Sequence, residues 1–196
     1  FRYMSTIIFI NGTSSSGKTS LLKALQNQLQ EPYLDMGIDR FIWMLPKRYL
    51  DRPLWDDVLG KAHHSGPVGL TLFSGMHHAI AAAASRGNNI IADHVFVEKV
   101  WVDECAYLFA DMNAYLIGIN CPLEILEKRE RDRKDRTLGQ ARAQYDVIHK
   151  HTEYDLDVDT SSLSPTECAE KVIERLKSAP LAFKHLKSQR DDKIVG

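Results

Sequence analysis

Cysteine is scarce in this chain of 196 residues, and the three present do not cluster. Cys105, Cys121 and Cys168 stand far apart and form no Cys-x-x-Cys pair, which argues against a zinc site and against a disulfide framework. A reducing cytoplasm is the expected setting. Long apolar runs are also missing. None approaches the roughly 20 residues that span a bilayer, and no secretory apolar segment opens the chain, where Met4 reads as a natural start after Phe1-Arg2-Tyr3. Nor is there an excess of one charge. Lys and Arg number 25 against 26 Asp and Glu, a formal net charge of −1, which gives no general attraction to nucleic acid or to an anionic membrane. No Asn-Lys-x-Asp guanine-reading signature occurs. His63-His64 and His77-His78 are adjacent pairs, and neighbouring helical positions point about 100° apart, so neither reads as a metal-ligand pair.

What is present is concentrated near the start. Thr6-Ile7-Ile8-Phe9-Ile10-Asn11 runs directly into Gly12-Thr13-Ser14-Ser15-Ser16-Gly17-Lys18-Thr19, a match to G-x-x-x-x-G-K-[ST]. Gly12 and Gly17 permit backbone conformations that a Cβ would obstruct, so that successive N–H groups can turn inward around phosphate oxygens. Lys18 can reach the β- and γ-phosphates, and the Thr19 hydroxyl can ligate Mg²⁺. Beyond Ser20, Leu21, Leu22, Leu25 and Leu29 recur at helical spacing, so the loop opens a helix whose positive end faces the anion. Thr13 to Ser16 and Ser20 complete the expected phosphate-binding set.

At 44% hydrophobic residues the chain suits one domain with a substantial core, expected over residues 4–178 with a tail or terminal helix at 179–196. Strand and helix signals alternate. Strands are expected at 6–11, 33–36, 89–93, 114–119 and 156–160, separated by helices. The helix between the second and third strands shows an apolar repeat at Leu72, Met76, Ile80 and Ala84. Ser164-Pro165-Thr166-Glu167 reads as a capping box opening a final helix. Residues 45–66, with Pro46, Pro53, Gly60 and Gly66, form the most loop-like insertion. The pattern predicts an α/β three-layer sandwich of the P-loop NTPase type, with an about five-stranded parallel sheet covered on both faces. In such sheets, ligands gather at the carboxyl ends of the strands.

Two acids stand at predicted strand ends. Asp39 follows Gly37-Ile38, where a carboxylate can accept the proton of an acceptor hydroxyl and hold its oxygen in line; an N-cap is the competing reading. Asp93 closes Ile90-Ile91-Ala92, as expected of an acid that binds Mg²⁺ directly or through water; a turn residue is the alternative. In the segment from Arg129 to Arg136, helical spacing places Arg129, Arg133 and Arg136 on one face. A charge run alone suits a solvated ion-pair surface, but the following Gly139 and the distance from the phosphate loop favour a mobile lid over 129–140, with Arg133 and Arg136 as the contacts that neutralise the transferring phosphate. Phe41, Trp43, Val95 and Phe96 can serve as walls for a ring-bearing acceptor or as core.

Several of these segments together resemble the chloramphenicol phosphotransferase family of small P-loop kinases, which is similar in fold to shikimate and adenylate kinases. The carriers are Asn11-Gly12 with Ser14-Ser15 and Gly17-Lys18-Thr19; Glu31-Pro32-Tyr33-Leu34 leading to Gly37-Ile38-Asp39; Met44-Leu45-Pro46; Gly66-Pro67; Ile90 to Phe96; the arginine-rich segment; and Glu153-Tyr154-Asp155-Leu156-Asp157-Val158-Asp159-Thr160. The resemblance implies transfer of the γ-phosphoryl group of ATP, with Mg²⁺, to a hydroxyl of a small acceptor, chloramphenicol in the family, with Asp39 as base. The chain departs from the family pattern at Asp93-His94 and across 47–65, with Trp55 and His63-His64, and these segments are expected to border the acceptor pocket. Two other readings share the phosphate loop: a nucleoside monophosphate kinase, for which Arg40, Lys47, Arg48 and Arg52 are the available acceptor-side cations, and a non-enzymatic nucleotide switch.

Overall fold

In the computed structural model, residues 5–133 and 138–195 are described, the last three as backbone only. The first apolar run forms β1 (Ile7–Asn11), buried at every position. Because successive side chains alternate across a strand, Ile7 and Phe9 join one core and Ile8 and Ile10 another. Four further strands follow, β2 (Tyr33–Asp35), β3 (Asn89–His94), β4 (Ala114–Asn120) and β5 (Leu156–Asp159). β3 and β4 flank β1 and divide in the same way: Ala92 and Leu116 join the Phe9 side, Ile91 and Ile117 the other. The described residues thus build a five-stranded parallel sheet in the order β2-β3-β1-β4-β5.

A sheet apolar on both faces requires cover on both. The helices are α1 (Lys18–Gln28), α2 (Ile38–Ile42), α3 (Pro67–Ser85), α4 (Lys99–Phe109), α5 (Leu123–Asp132), α6 (Gln140–Tyr145), α7 (Pro165–Arg175) and α8 (Ala182–Val195). α1 and α7 close one face through Leu21, Leu25, Cys168 and Val172. α3, α4 and α8 close the other, where Phe9 meets the rings of Phe109 at 4.9 Å and Phe183 at 5.5 Å. Truncating Phe9 to Ala would cost about 3–5 kcal/mol, the range for a fully buried aromatic. No described helix is long and apolar enough to cross a membrane.

Local chemistry sets the boundaries. Ser164 and Glu167 form the expected capping box: the Ser164 hydroxyl accepts the Glu167 N–H, and the Glu167 carboxylate accepts that of Ser164. α3 starts at Pro67, a full turn ahead of its apolar repeat. The 45–66 insertion is less irregular than its composition suggests, containing 3₁₀ turns at Lys47–Tyr49 and Leu54–Asp57 and a cis Arg52-Pro53 bond.

The arginine-rich segment departs from its expected geometry. α5 ends at Asp132, and Arg133 is extended at φ −90°, ψ 116°, so Arg129 and Arg133 do not share a helical face; Arg136 lies outside the described residues. The buried Glu130 side chain joins the two helices on either side of this segment. Its two carboxylate oxygens accept N–H groups from Gly139 (2.8 Å) and Ala141 (2.9 Å), fastening the start of α6 onto α5. A carboxylate at those orphan donors also complements the positive end of α6.

Candidate active site

The phosphate-loop sequence forms the turn between β1 and α1. Ser15 (φ 63°) and Gly17 (φ 97°) adopt left-handed conformations that let the backbone reverse within a few residues. At Gly12 a Cβ would lie 2.7 Å from Ser16 Oγ and 3.1 Å from Ile119 Cβ, so glycine lets the loop pass close to both. Gly17 is the N-cap of α1 and supplies no capping side chain to the first-turn N–H groups. The largely buried Lys18 folds back over the loop, its Nζ donating to the carbonyls of Gly12 (2.7 Å) and Thr13 (2.6 Å). The hydroxyls of Ser15 and Ser16 are buried without a hydrogen-bond partner among the described residues. Two unsatisfied hydroxyls in one turn are costly in a finished core but fit a loop shaped around phosphate oxygens. Thr13 is buried, Ser14 half-buried, and Thr19 and Ser20 are exposed.

The wall facing the phosphate loop is built in part by the link from β2 to α2. Asp35 accepts the N–H of Gly37 (3.1 Å) and pairs with Arg40, fixing the turn. Gly37, not Asp39, is the N-cap of α2, so Asp39 is the second helical residue. Asp93 lies within β3 rather than in a turn and is 8% exposed. Asp39, Asp93, Ser14 to Ser20 and Arg133 line one cleft at the carboxyl ends of β1 and β3. Its apolar walls are Ile38, Ile42, Trp55, Leu59 and Val95. Of the four aromatic and apolar candidates from sequence, only Val95 lines it. Phe96 is core, stacked on His94 at 4.0 Å; Phe41 packs against the core; Trp43 is 63% exposed.

A second hollow adjoins the first, lined by Ser15, Gly17, Ser20, Arg129, Arg133, Thr160, Leu163 and Pro165 among others. Arg129 is clamped there: Nη2 donates to the Thr160 carbonyl (2.6 Å) and Nη1 to its hydroxyl (3.2 Å). The Thr160 hydroxyl donates in turn to the Ser16 carbonyl (2.7 Å), linking the end of β5 to the phosphate loop.

Two groups of residues join the site without having been singled out for it in the sequence. Asn11 is fully buried where β1 meets the loop; its carbonyl accepts the Phe96 N–H (2.8 Å) and its amide donates to the Ile148 carbonyl (2.9 Å) and the Tyr154 hydroxyl (2.8 Å). Tyr154 also meets Thr152 and His149 through that hydroxyl, and burial pushes its pKa up to about 12. A buried Asn closing an apolar run was the available signal. Gln144 on α6 contacts both Ser14 and Ala62, and an isolated Gln in a short polar helix gives no periodic clue.

Behind Asp93, His94 meets a buried relay. The Glu104 carboxylate can only accept, so His77 Nδ1–H donates to it (2.5 Å); neutral His77 then accepts at Nε2 from His94 Nε2–H (2.9 Å). Burial holds the pKa of both histidines below the ordinary range, His94 well below it.

With this geometry in place, comparison with known proteins is decisive at the family level. A profile of the chloramphenicol phosphotransferase-like proteins matches residues 5–177. The chain belongs to this family. A Mycobacterium tuberculosis (strain H37Rv) protein, described as a candidate O-phosphotransferase, is 31% identical over 198 residues, covering 93% of this chain and 88% of the relative. Two solved structures share the fold. A sugar kinase from Janibacter sp. HTCC2649 superposes with a TM-score of 0.64 at 16% identity, covering 90% of this chain and 96% of that one. The Mycobacterium tuberculosis APS kinase, in complex with AMPPNP and APS, gives 0.60 at 18% identity, covering 89% and 99%. The family member is thus a phosphotransferase-type protein on a kinase fold.

Proposed function

We propose that this protein transfers the γ-phosphoryl group of ATP, with Mg²⁺, to a hydroxyl of a small acceptor that carries no phosphate of its own. The observation that carries the reading is that Lys18, Asp39, Asp93 and Arg133 line one cleft with the phosphate loop. In this reading Ser14 to Ser20 hold the phosphates, and Lys18 and Arg133 offset the charge on the transferring group. Asp39 orients the acceptor hydroxyl and takes its proton as the new O–P bond forms and the bond to the β-phosphate oxygen breaks, releasing ADP. Thr19 and Asp93 are the residues that would hold Mg²⁺, which supplies charge neutralisation at the phosphate oxygens. Arg129 and the 160–165 turn form the nucleotide side.

The character of the acceptor follows from the walls. Arg40, Lys47, Arg48 and Arg52 do not line the cleft; Arg40 is paired with Asp35 and Arg52 with Asp56. A nucleoside monophosphate needs such cations for its own phosphate, so that acceptor is disfavoured. Ile42, Trp55, Leu59 and Val95 suit an uncharged, partly apolar alcohol. The family description makes chloramphenicol the first acceptor to test. Incubation with Mg²⁺-ATP and chloramphenicol, followed by mass spectrometry, should yield phosphorylated drug that disappears in Asp39→Ala. ATP consumption that is slow and unchanged by any small alcohol would instead support a switch and overturn the kinase reading.

A further inference from the structure

Gln144 is 3% exposed, and both ends of its carboxamide are engaged. Oε1 accepts the backbone N–H of Ser14 in the phosphate loop (2.6 Å), and Nε2 donates to the carbonyl of Ala62 (3.1 Å). Ala62 lies in the acceptor-side insertion and holds a left-handed conformation (φ 55°) that a residue with a Cβ adopts only when its surroundings impose it. Three residues earlier, Leu59 lines the cleft together with Asp39 and Gln144 itself. The insertion is fastened further along by Ser65, whose N–H donates to Glu98 (2.7 Å) and whose hydroxyl donates to the Val58 carbonyl (2.6 Å).

From this arrangement we propose that Gln144 is a positioning residue that ties the acceptor wall at 57–64 to the phosphate loop. It thereby sets the distance between acceptor and γ-phosphate. The inference rests on the kinase reading for its catalytic meaning, although the tie itself can be measured without any acceptor. Only an amide serves here. Ser14 presents a donor and Ala62 an acceptor, so the bridging side chain must accept at one end and donate at the other. A carboxylate of the same length would accept from Ser14 but repel the Ala62 carbonyl, and an isosteric hydrocarbon would do neither. Displacements of about 1 Å at such a wall are enough to cost large factors in rate, since transfer depends on alignment of the reacting atoms. Because coupling is reciprocal, ligand that orders the loop also orders the wall through Gln144.

The test is amide hydrogen exchange read by mass spectrometry on the full chain of the wild type, Gln144→Glu and Gln144→Leu, with and without Mg²⁺-AMPPNP. Without nucleotide, peptides covering 57–64 should exchange about tenfold faster in both variants, as expected for loss of one buried hydrogen bond. β1, β3 and β4 should keep wild-type rates. Gln144→Glu should leave the phosphate loop as protected as in the wild type, a split between the two ends that a general loss of stability would not produce. With Mg²⁺-AMPPNP, the wild type should gain protection in the loop and in 57–64, and Gln144→Leu in the loop alone. Unchanged exchange at 57–64 in both variants, faster exchange spread evenly over the sheet, or equal nucleotide-induced protection of 57–64 in Gln144→Leu would each overturn the proposal. If the analogue protected nothing in the wild type, the kinase reading would fail, while the comparison without nucleotide would still decide whether the tie exists.

Discussion

The carboxylate of Asp93 rests against the Cα of Gly37: a Cβ added to Gly37 would stand 1.8 Å from Asp93 Oδ1 and 3.0 Å from its Cγ. Gly37 is needed for this approach and not for its backbone, which at φ −73°, ψ 169° is open to any residue. Gly37→Ala should therefore fold and yet displace Asp93. We expect turnover to fall by at least about tenfold, the factor set by roughly 1.4 kcal/mol, with more Mg²⁺ needed for half-maximal rate. Gly75→Ala in α3, where nothing lies within 4 Å of the new methyl, is the control and should gain about 0.5–1 kcal/mol in a urea melt. Equal behaviour of the two variants would remove Asp93 from the site.

Asp39 and Lys18 should separate in kinetics. Asp39→Asn keeps size and removes the proposed base, so kcat should fall by about 10²–10⁴ while nucleotide affinity is retained. Lys18→Met should weaken nucleotide binding and turnover together. Calorimetric titration with AMPPNP alongside steady-state rates distinguishes the two, and near wild-type kcat in Asp39→Asn would refute its role.

Thr160→Val removes the hydroxyl that joins Arg129 to the Ser16 carbonyl while keeping the side-chain shape. Arg129 keeps its bond to the Thr160 carbonyl, so the loss should be partial. A rise of about threefold to tenfold in KM for ATP, with KM for the acceptor unchanged, is the expected outcome, from the loss of one hydrogen bond.

The His77 relay makes stability depend on pH. Burial lowers the His77 pKa in the folded protein, so on acidification the unfolded chain takes up its proton first. The stabilisation is complete above about pH 6.5, the unfolded value, and is lost as pH falls from there toward the folded pKa. His94 is shifted in the same direction. His77→Gln should flatten the profile by up to about 1.4 kcal/mol per pH unit for the group removed. Urea midpoints at pH 7.5 and 5.5 measure it, and parallel losses in the two proteins would exclude His77 as the source.

The sequence made the phosphate loop and the sheet legible because both depend on near neighbours. An apolar run entering Gly12 to Thr19 names its own geometry, and the alternation of Ile7 to Ile10 fixes two faces at once. Arg133 lines the cleft as expected, but not from a face shared with Arg129, because helical spacing alone gave no sign that α5 ends at Asp132. The cleft walls were legible in part, since Val95 and the insertion that carries Trp55 were both expected there and both line it. Phe96 sits beside Asp93 in sequence but turns into the core, whereas Trp55 and Leu59 reach the cleft from an insertion with no periodic pattern. Gln144 acquires its place only through contacts 130 and 82 residues away in the chain.

The family match stops at residue 177, but the packing does not. The buried Asp155 carboxylate accepts the N–H groups of Leu116, Leu181 and Ala182 and pairs with Arg175, seating α8 beside α4 and bringing Phe183 onto Phe9 and Phe109. A chain trimmed at the limit of the family profile would keep every residue of the candidate site but lose Ala182 and Phe183 from the core face that α3 and α4 also cover. The unit that packs is thus longer than the segment the family profile matches, and an expression boundary drawn at residue 177 should give a less stable protein with its candidate site intact.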